Sequence, residues 1–436
     1  MRYISFVRPR VPSFAGRLGL YCGIALLAWA YYAYEWRSFA NFVRETDHCQ
    51  LAFCDFVNHY YPQAQEIVDA VQPVDGFMYS ATFAWVLAPI GRLPPVAALK
   101  VWAVLQAVLT ALMVLPLSWL FLRGTDRFWW RLAYFALSLT SIPLLHNFKW
   151  GQVSVLLTLC VIAAAFLDGG RRVSVLAGFL MAFAAAVKFY PALFFLVFLF
   201  RKQWLAFASA VVLAVVMLAL PLWPMGYQHS RSCYTGKVVP MMGKEVVEDP
   251  NAQYFIRVLT ADFPSMFPRI TSESVLKPAG RAVALLNILL AFTAGLLRIP
   301  EASRRRLIVC LLALTLPFVV TTSWTHYFVY LPFCQICLAY EAARIVRRGN
   351  RWQMSTVWVL ATVSAVLSSI PMVRAQANWL AYVTPGFVFY ANLSALVAAY
   401  IVMQTLIRTA ETSFLSNLRA RWAARRGAVR SPMVTS

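Results

Sequence analysis

The stretch CDFVNHYYPQAQEIVDAV, residues 54 to 71, places acidic and polar side chains beside aromatic ones after the first long apolar segment. Asp55 is the group in it best suited to chemistry, because a positioned carboxylate can take the proton of an attacking hydroxyl. Asp is also a good helix N-cap, and acids in loops are commonly solvated. The residues alone leave both interpretations open.

Three further basic residues, Lys188, His326 and Arg257, each have a functional and a structural interpretation. Lys188 lies between two apolar runs, where a cation is a functional candidate unless its side chain reaches the lipid headgroups. His326 could equally be a hydrogen-bonded residue at a helix end. Arg257 could contact phospholipid headgroups. Gln152 begins a predicted helix. It could have a functional role, or it could form ordinary hydrogen bonds between helices.

Composition identifies the class of protein. The chain has 436 residues, of which 61% are hydrophobic and 13% are charged. Soluble proteins carry about 25% charged residues. Long apolar runs recur along the whole chain and predict an all-α polytopic membrane protein, whereas an outer-membrane barrel would show short alternating segments.

The net charge of +22 could suggest a nucleic-acid partner. The Lys and Arg residues, however, cluster in short links between the apolar runs, which is the positive-inside pattern of membrane proteins. We therefore predict contacts with membrane lipids and none with nucleic acid. The basic segments predicted to be cytoplasmic are 8–17, 123–131, 169–173, 201–204, 304–306, 347–351 and 419–430. The segments predicted to face the outside or periplasm are 40–80, 146–152, 223–278, 321–328 and 374–384.

The apolar runs predict about twelve transmembrane helices in a single membrane-embedded domain, 1–436. The clearest candidates are 18–38, 95–122, 131–146, 151–167, 203–222, 281–298, 306–321, 327–343, 353–371 and 385–408. Residues 175–200 are interpreted as two short helices that meet at Lys188, and 78–93 as a partial or surface helix. Outside the spans lie a first outer loop at 40–80, a long outer loop at 223–278 and a basic cytoplasmic tail at 412–436.

The first outer loop carries a helical pattern. One face holds Phe56, Tyr60, Ala64, Ile67 and Val71, and another holds Asp55, His59, Gln63 and Glu66. This pattern predicts a helix along the membrane surface with its polar side towards water. Pro62 either kinks this helix or begins it.

The cysteines permit one disulfide and suggest no metal. Cys49 and Cys54 both lie in the first outer loop, where a disulfide or two free thiols are possible. Cys334 and Cys337 form a CxxC pattern inside an apolar helix, where packing is the expected role. Since no cluster of His, Cys and acidic residues has metal-ligand spacing, we predict no metal and no cofactor.

Six motifs follow one another along the chain. They are CDFVNHYYPQA (54–64), FMYSATFAWVLAPIGRLPPVAALKVW (77–102), KWGQVSVLLTL (149–159), LAGFLMAFAAAVKFYPALFFLVFLF (176–200), DPNAQYFIRVL (249–259) and SWTHYFVYLPF (323–333). In this order they resemble glycosyltransferase family 87, membrane enzymes of the GT-C type. Ser154 replaces the Asn of the third motif, and the fifth has an inserted Ala and a Tyr in place of Ser.

The resemblance implies an inverting transferase that uses a polyprenyl-phosphate sugar and a hydroxyl of a glycolipid or glycan acceptor. Asp55 would be the general base. Lys188, His326 and Arg257 would hold the donor phosphate, and Tyr60, Tyr61, Gln152 and Gln253 would bind substrate. Mannose is the best-known sugar of the family, although pentose transfer also occurs. The enzyme would be a multi-pass protein of the inner (plasma) membrane with its active site outside or in the periplasm.

Two other classes remain open at this stage. A lipid-linked-sugar transporter or flippase would need a charged path through the bundle, but ionisable residues within the predicted helices are scarce apart from Lys188. It would also be favoured by inverted repeats, which the sequence lacks. A noncatalytic scaffold would not need polar motifs gathered on one side of the membrane.

Overall fold

The computed structural model describes residues 12–46, 53–69, 79–122, 128–228, 231, 234–238, 249, 251–262, 273–321, 323–345, 351–376 and 378–428. These residues are helical apart from turns, short connections and two isolated bridges, Ser141–Ser369 and Ala252–Trp324. The α-helices are α1 Phe14–Thr46, α2 Tyr61–Asp69, α3 Ala81–Gly91, α4 Pro95–Val114, α5 Leu117–Phe121, α6 Phe128–Leu139, α7 Ile142–Trp150, α8 Ser154–Phe166, α9 Arg171–Val187, α10 Phe195–Phe200, α11 Trp204–Ala219, α12 Leu222–Met225, α13 Phe255–Asp262, α14 Glu273–Leu296, α15 Glu301–Val319, α16 Leu331–Ile345, α17 Arg351–Leu367, α18 Ile370–Arg374, α19 Trp379–Val383 and α20 Phe387–Ala428. The all-α fold is therefore confirmed.

Four segments of the described chain are long and apolar enough to cross a membrane: Pro95–Phe121, Trp204–Met225, Ser274–Leu296 and Trp379–Thr409. The exposed face of the second carries Val212, Val215 and Val216, which are 59%, 62% and 52% exposed. An apolar surface of this kind suits lipid rather than water. The chain is a helical membrane protein, but the predicted count of about twelve crossings is not confirmed.

Several predicted spans are interrupted. The run predicted at 131–146 is divided between α6 and α7 at Thr140 and Ser141. Pro143 lies in the first turn of α7, where its missing N–H is tolerated. The break pairs with the start of α18, because the Ile142 N–H donates to the Ser368 carbonyl (2.9 Å) and the Ile370 N–H to the Thr140 carbonyl (3.0 Å).

The junction at Lys188 agrees with the sequence. Helix α9 ends at Val187, and a 3-10 turn, Tyr190–Phe194, leads into α10. Lys188 itself has an extended backbone, with φ −143° and ψ 129°. Pro191 lies in the first turn of the 3-10 segment, where its fixed φ suits a helical start. The two short helices predicted around Lys188 are thus present.

In the first outer loop, helical backbone begins at Cys54, so Pro62 does not begin the helix but lies in the first turn of α2. A π-helical turn, Phe56–Tyr60, precedes it, and the Tyr61 N–H donates to the Phe56 carbonyl. Pro62 is the second residue of α2. The predicted apolar residues Phe56, Tyr60, Ala64 and Ile67 are buried, whereas Val71 lies outside the described residues.

One polar residue of this helix was placed wrongly. Gln63 was predicted to face water, but it is only 3% exposed. Next to it in the chain, Ala64 packs closely against α3: a Cβ added to Gly91 would lie 2.8 Å from the Ala64 carbonyl carbon. Glu66 is exposed as predicted. Helix α2 is therefore buried on part of its polar face as well as on its apolar face.

Arg and acidic residues form an ion-pair cluster at the ends of α8, α10 and α15. Arg201 pairs with Glu301 (2.8 Å), and Arg305 pairs with Asp168 (2.7 Å). The Arg304–Arg306 run was predicted as a link between helices, but it lies within α15, where Arg305 and Arg306 are 5% and 1% exposed. Because carboxylates neutralise these side chains, the helix can begin before the charged run.

Helix α8 connects this cluster to the opposite end of the bundle. The carbonyl of Phe166, the last residue of α8, accepts a hydrogen bond from Arg305 (3.3 Å). Its 13 residues span about 20 Å at 1.5 Å per residue. Its other end begins two residues after Gln152. The basic segments at 201–204 and 304–306, predicted to share one side of the membrane, therefore meet at one end of the protein.

Candidate active site

A cavity of about 260 Å³ opens at the end of the bundle opposite the ion-pair cluster. Its lining residues are Asp55, His59, Tyr60, Tyr79, His146, Trp150, Gln152, Lys188, Asp249, Asn251, Trp324 and His326. They come from helix ends, short helical turns and connecting segments that lie far apart in the sequence. Five predicted site residues are among them: Asp55, Tyr60, Gln152, Lys188 and His326.

Asp55 is held by its aromatic neighbours. The Phe53 N–H donates to the Lys149 carbonyl (2.6 Å), and Phe53 has a φ of 60°. Such a φ is strained for a bulky side chain and persists only where tertiary contacts impose it. On the other side of Asp55, the ring of Phe56 stacks on Trp102 at 4.8 Å. The Asp55 side chain makes no capping hydrogen bond to the turn that it begins. Its carboxylate faces the cavity rather than serving as a cap.

Lys188 is a buried cation beside this acid. Its Nζ donates to the Tyr79 hydroxyl (3.1 Å) and lies 4.1 Å from the centre of the Tyr327 ring. Lys188 is 6% exposed and lies between helices, outside the four long apolar spans. Burial lowers the pKa of Lys188 to about 7, and the negative charge of Asp55 opposes that shift. Lys188 therefore changes its charge near neutral pH.

Gln152 connects Lys188 to the first loop. Its Oε1 lies 2.8 Å from the Tyr60 hydroxyl and 2.6 Å from the Tyr79 hydroxyl, and the two hydroxyls are 2.6 Å apart. The Gln152 backbone is fixed as well, since its carbonyl accepts from Gln106 Nε2 (2.9 Å). This buried network gives the Tyr79 hydroxyl a defined position under the Lys188 ammonium.

Gly151 allows the turn that presents Gln152. It ends α7 with a φ of 67°, a conformation that favours glycine. Its carbonyl accepts a hydrogen bond from Trp102 Nε1 (3.0 Å). A Cβ at Gly151 would lie 2.9 Å from that same nitrogen. Both the backbone conformation and the contact with Trp102 therefore require glycine.

The segments around Asp249 and Trp324 form another wall of the cavity. They are joined by the Ala252–Trp324 bridge, and the Gln253 N–H donates to the Ser323 carbonyl (2.6 Å). The indole N–H of Trp324 donates to Asp249 Oδ2 (2.7 Å). These contacts fix the entry to the 3-10 turn Thr325–Tyr330, which carries His326.

Two imidazoles lie stacked in the wall. The rings of His146 and His326 are 5.5 Å apart and nearly parallel, at 14°. His146 is also parallel to Trp379, at 5.5 Å and 12°, and the Trp379 indole donates to Asn251 Oδ1 (2.8 Å). Within the described residues, no ring nitrogen of either histidine has a hydrogen-bond partner. Burial, followed by the proximity of His146 and the charge of Lys188, lowers the pKa of His326, which favours the neutral imidazole.

Three predicted site residues do not line the cavity. The Tyr61 hydroxyl donates to the Leu93 carbonyl (2.8 Å). Gln253 Nε2 donates to the Val383 carbonyl (2.8 Å), and Arg257 Nη1 donates to the Thr384 carbonyl (3.0 Å). Backbone carbonyls thus take up these polar groups, which tie the walls of the cavity to the rest of the protein.

Several lining residues were not predicted as site residues, although most lie in segments that the sequence had already identified. His146 and Trp150 belong to HNFKWGQ, Asp249 and Asn251 to DPNAQ, and Trp324 to SWTH. The available signal was their position in outward-facing polar segments. His59 and Tyr79 lie within the first and second of the six motifs.

Cys54, next to Asp55, is disulfide-bonded. Its proposed partner Cys49 lies outside the described residues, so the predicted pairing stays a prediction. Cys334 and Cys337 are buried and free. Among the residues that the structure describes, no group of three or more His, Cys, Asp and Glu residues could hold a metal.

Comparison with known proteins identifies the family. No curated protein is detectably similar to the chain. The sequence model of glycosyltransferase family 87 matches residues 77–323, which is more than half of the chain. The match contains Tyr79, Gln152, Lys188 and Asp249, whereas Asp55 and His326 lie just outside it. The chain belongs to glycosyltransferase family 87.

Proposed function

We propose that the protein transfers a sugar, mannose in the first instance, from a polyprenyl-phosphate donor to a hydroxyl of a glycolipid or glycan acceptor. The observation that carries this proposal is that Asp55 and Lys188 share one cavity. The Asp55 carboxylate can remove a proton, and the Lys188 ammonium can compensate the negative charge of an anion. The family supports glycosyl transfer in general, and the donor, the sugar and the residue roles are our inference.

The chemistry requires one base. The acceptor hydroxyl attacks the anomeric carbon of the donor while the bond from that carbon to the phosphate oxygen breaks. The hydroxyl proton passes to the Asp55 carboxylate, and the electron pair of the broken bond leaves with the polyprenyl phosphate. A single displacement inverts the anomeric centre, so no covalent sugar–enzyme intermediate and no second carboxylate are needed.

Lys188 is suited to the leaving group. The bond cleavage adds negative charge to the phosphate, and a buried ammonium stabilises that charge more than an ammonium in water would. The Tyr79 hydroxyl and the Tyr79 and Tyr327 rings fix the ammonium in place. His326 lies next to Tyr327, with ring centres 5.1 Å apart, and is placed to donate a hydrogen bond to the same phosphate.

The transporter alternative receives less support. A lipid-linked sugar would need a polar path across the bundle. Between the cavity and the ion-pair cluster, α15 buries a continuous apolar run, residues 307–314. Such a run suits packing rather than the passage of a sugar headgroup.

The direct test uses purified protein in detergent with a panel of polyprenyl-phosphate sugars and a glycolipid acceptor. We expect released polyprenyl phosphate and a lengthened acceptor for at least one sugar. Absence of transfer with every sugar, from protein that remains folded, would refute the proposal.

The proposed side of the membrane has its own test. We propose that the cavity faces the outside or periplasm of the inner membrane, because the ion-pair cluster at the other end carries the basic segments. Single cysteines at exposed Glu66 and at Gly236 are expected to react with an impermeant thiol reagent on intact cells. Cysteines at exposed Arg171 and Lys202 should react only after lysis, and the opposite pattern would reverse the orientation.

A further inference from the structure

The ring of His146 has hydrogen-bonding capacity that no described residue uses. His146 is 6% exposed, it lines the cavity, and both of its ring nitrogens are without partners among the described residues. A buried polar group left in this state costs free energy, commonly about 1–3 kcal/mol. Such a cost is tolerated where a ligand supplies the missing partner.

The surroundings of His146 fix the orientation of its ring. His326 and Trp379 both lie parallel to the ring at 5.5 Å. Trp379 is itself held by the bond from its indole to Asn251 (2.8 Å). Since these stacking contacts lie along ring faces, a ligand in the cavity would approach the ring at its edge, which carries the two buried nitrogens.

The order of the contacts from Lys188 to His146 indicates which part of the ligand lies beside His146. From the Lys188 ammonium, successive contacts lead to the Tyr327 ring, then to His326, then to His146. If the donor phosphate lies at Lys188 and His326, the sugar attached to it lies at the next position, beside His146. A neutral imidazole offers one donor and one acceptor, which is the combination that sugar hydroxyls match.

We propose that His146 binds the hydroxyls of the transferred sugar and thereby determines which sugar is accepted. This inference rests on the proposed function, in that it takes the polyprenyl-phosphate sugar as donor. His146 acts here as a binding residue and takes no proton in the transfer step.

The test separates sugar recognition from catalysis. Binding is followed by tryptophan fluorescence, which Trp150, Trp324 and Trp379 around the cavity make sensitive to occupancy. The probes are polyprenyl phosphate without sugar and polyprenyl-phosphate mannose, glucose, galactose and arabinose. The wild type is expected to bind at least one sugar-bearing probe about tenfold more tightly than bare polyprenyl phosphate, as one or two net hydrogen bonds would give.

Two variants decide the role of the ring. His146→Phe keeps the stacking and removes the nitrogens, so the preference for the sugar-bearing probe should disappear while bare polyprenyl phosphate binds as before. His146→Gln keeps a donor and an acceptor and should retain part of the preference. Tyr134→Phe is the matched control, because it removes a buried hydroxyl that bonds to the Met113 carbonyl away from the cavity. It should leave the preference unchanged.

The binding test of His146 can be decided separately from the test of sugar transfer. If the wild type binds sugar-bearing probes preferentially but transfers nothing, the proposed function fails and the assignment of His146 is still decided by its variants. Equal binding of all probes by the wild type, or an unchanged preference in folded His146→Phe, would overturn the assignment. An effect of His146→Phe confined to the KM of the acceptor would also overturn it.

Discussion

The Lys188 ammonium lies 3.1 Å from the Tyr79 hydroxyl and 4.5 Å from the centre of the Tyr79 ring. One tyrosine thus contacts the cation both through its oxygen and through its π face. Tyr79 also donates to Gln152 (2.6 Å), which connects the cation to the turn after α7. The position of the Lys188 ammonium is therefore determined by contacts between segments that are distant in the sequence.

The charge of Lys188 predicts a pH dependence. In the free enzyme its pKa is lowered to about 7, mainly by burial, so the ammonium is present below this pH and is lost as the pH rises. We expect kcat/KM for the donor to fall on the alkaline side of about pH 7. Lys188→Arg keeps its charge at all accessible pH values and should remove this decline, even if its absolute activity is lower. The same alkaline decline in the variant would exclude Lys188 as its origin.

The hydroxyl of Tyr79 should matter more to the donor than that of Tyr60. Tyr79→Phe keeps the ring under Lys188 but removes the hydrogen bond to the cation, a bond type that contributes about 1.5–3 kcal/mol. We expect the KM for the donor to rise by about tenfold or more. Tyr60→Phe is the control, because it removes a hydroxyl of the same network that bonds to Gln152 and Tyr79. Steady-state kinetics with both variants should separate them, and equal effects would argue against a specific role of Tyr79.

The ion-pair cluster should contribute to stability and not to substrate binding. Arg306 and Glu341 are 1% and 2% exposed, and their charged groups are 2.6 Å apart. Glu341→Gln leaves a buried guanidinium without this partner, and such changes cost about 3–5 kcal/mol. Thermal unfolding in detergent should show a clear decrease in Tm, with unchanged KM values at permissive temperature. Glu301→Gln should cost less, since its side chain is 41% exposed. A reversed order of the two variants would contradict this account.

The sequence allowed the helical class and the location of the site to be predicted, because both depend on local patterns. Apolar runs mark the helices, and the polar segments containing Asp55, Gln152, Lys188 and His326 follow from where those runs end. The roles of Gln63 and Arg257 could not be predicted in this way. Gln63 is buried although it lies on the polar face of its helix, and Arg257 bonds to carbonyls 126 and 127 residues away. Contacts between residues so far apart in the chain produce no periodic pattern in the sequence.

The stacking of His146 on His326 is a second example. The two residues are 180 positions apart, and each by itself resembles an ordinary histidine at a helix end. Only the pairing of the break at Thr140 with the start of α18, together with the bridge at Ala252 and Trp324, brings the two rings together. His326 could be identified as a candidate from the sequence, whereas the role of His146 and the arrangement of the two rings required the structure.

The most direct test of the proposed mechanism is the transfer rate of Asp55→Asn. The substitution keeps the shape of the side chain and removes its basicity, and loss of a general base lowers kcat by about 10²- to 10⁴-fold. Tm should remain close to that of the wild type, because Asn keeps the size and polarity of the side chain. Donor binding is compared below pH 7, because loss of the Asp55 charge removes an influence that raises the pKa of Lys188. Glu66→Gln, an exposed acid on α2, is the matched control and should transfer at the wild-type rate. A decrease of this size in Asp55→Asn alone is the result that we predict, and an Asp55→Asn variant that transfers sugar as fast as the wild type would contradict the account.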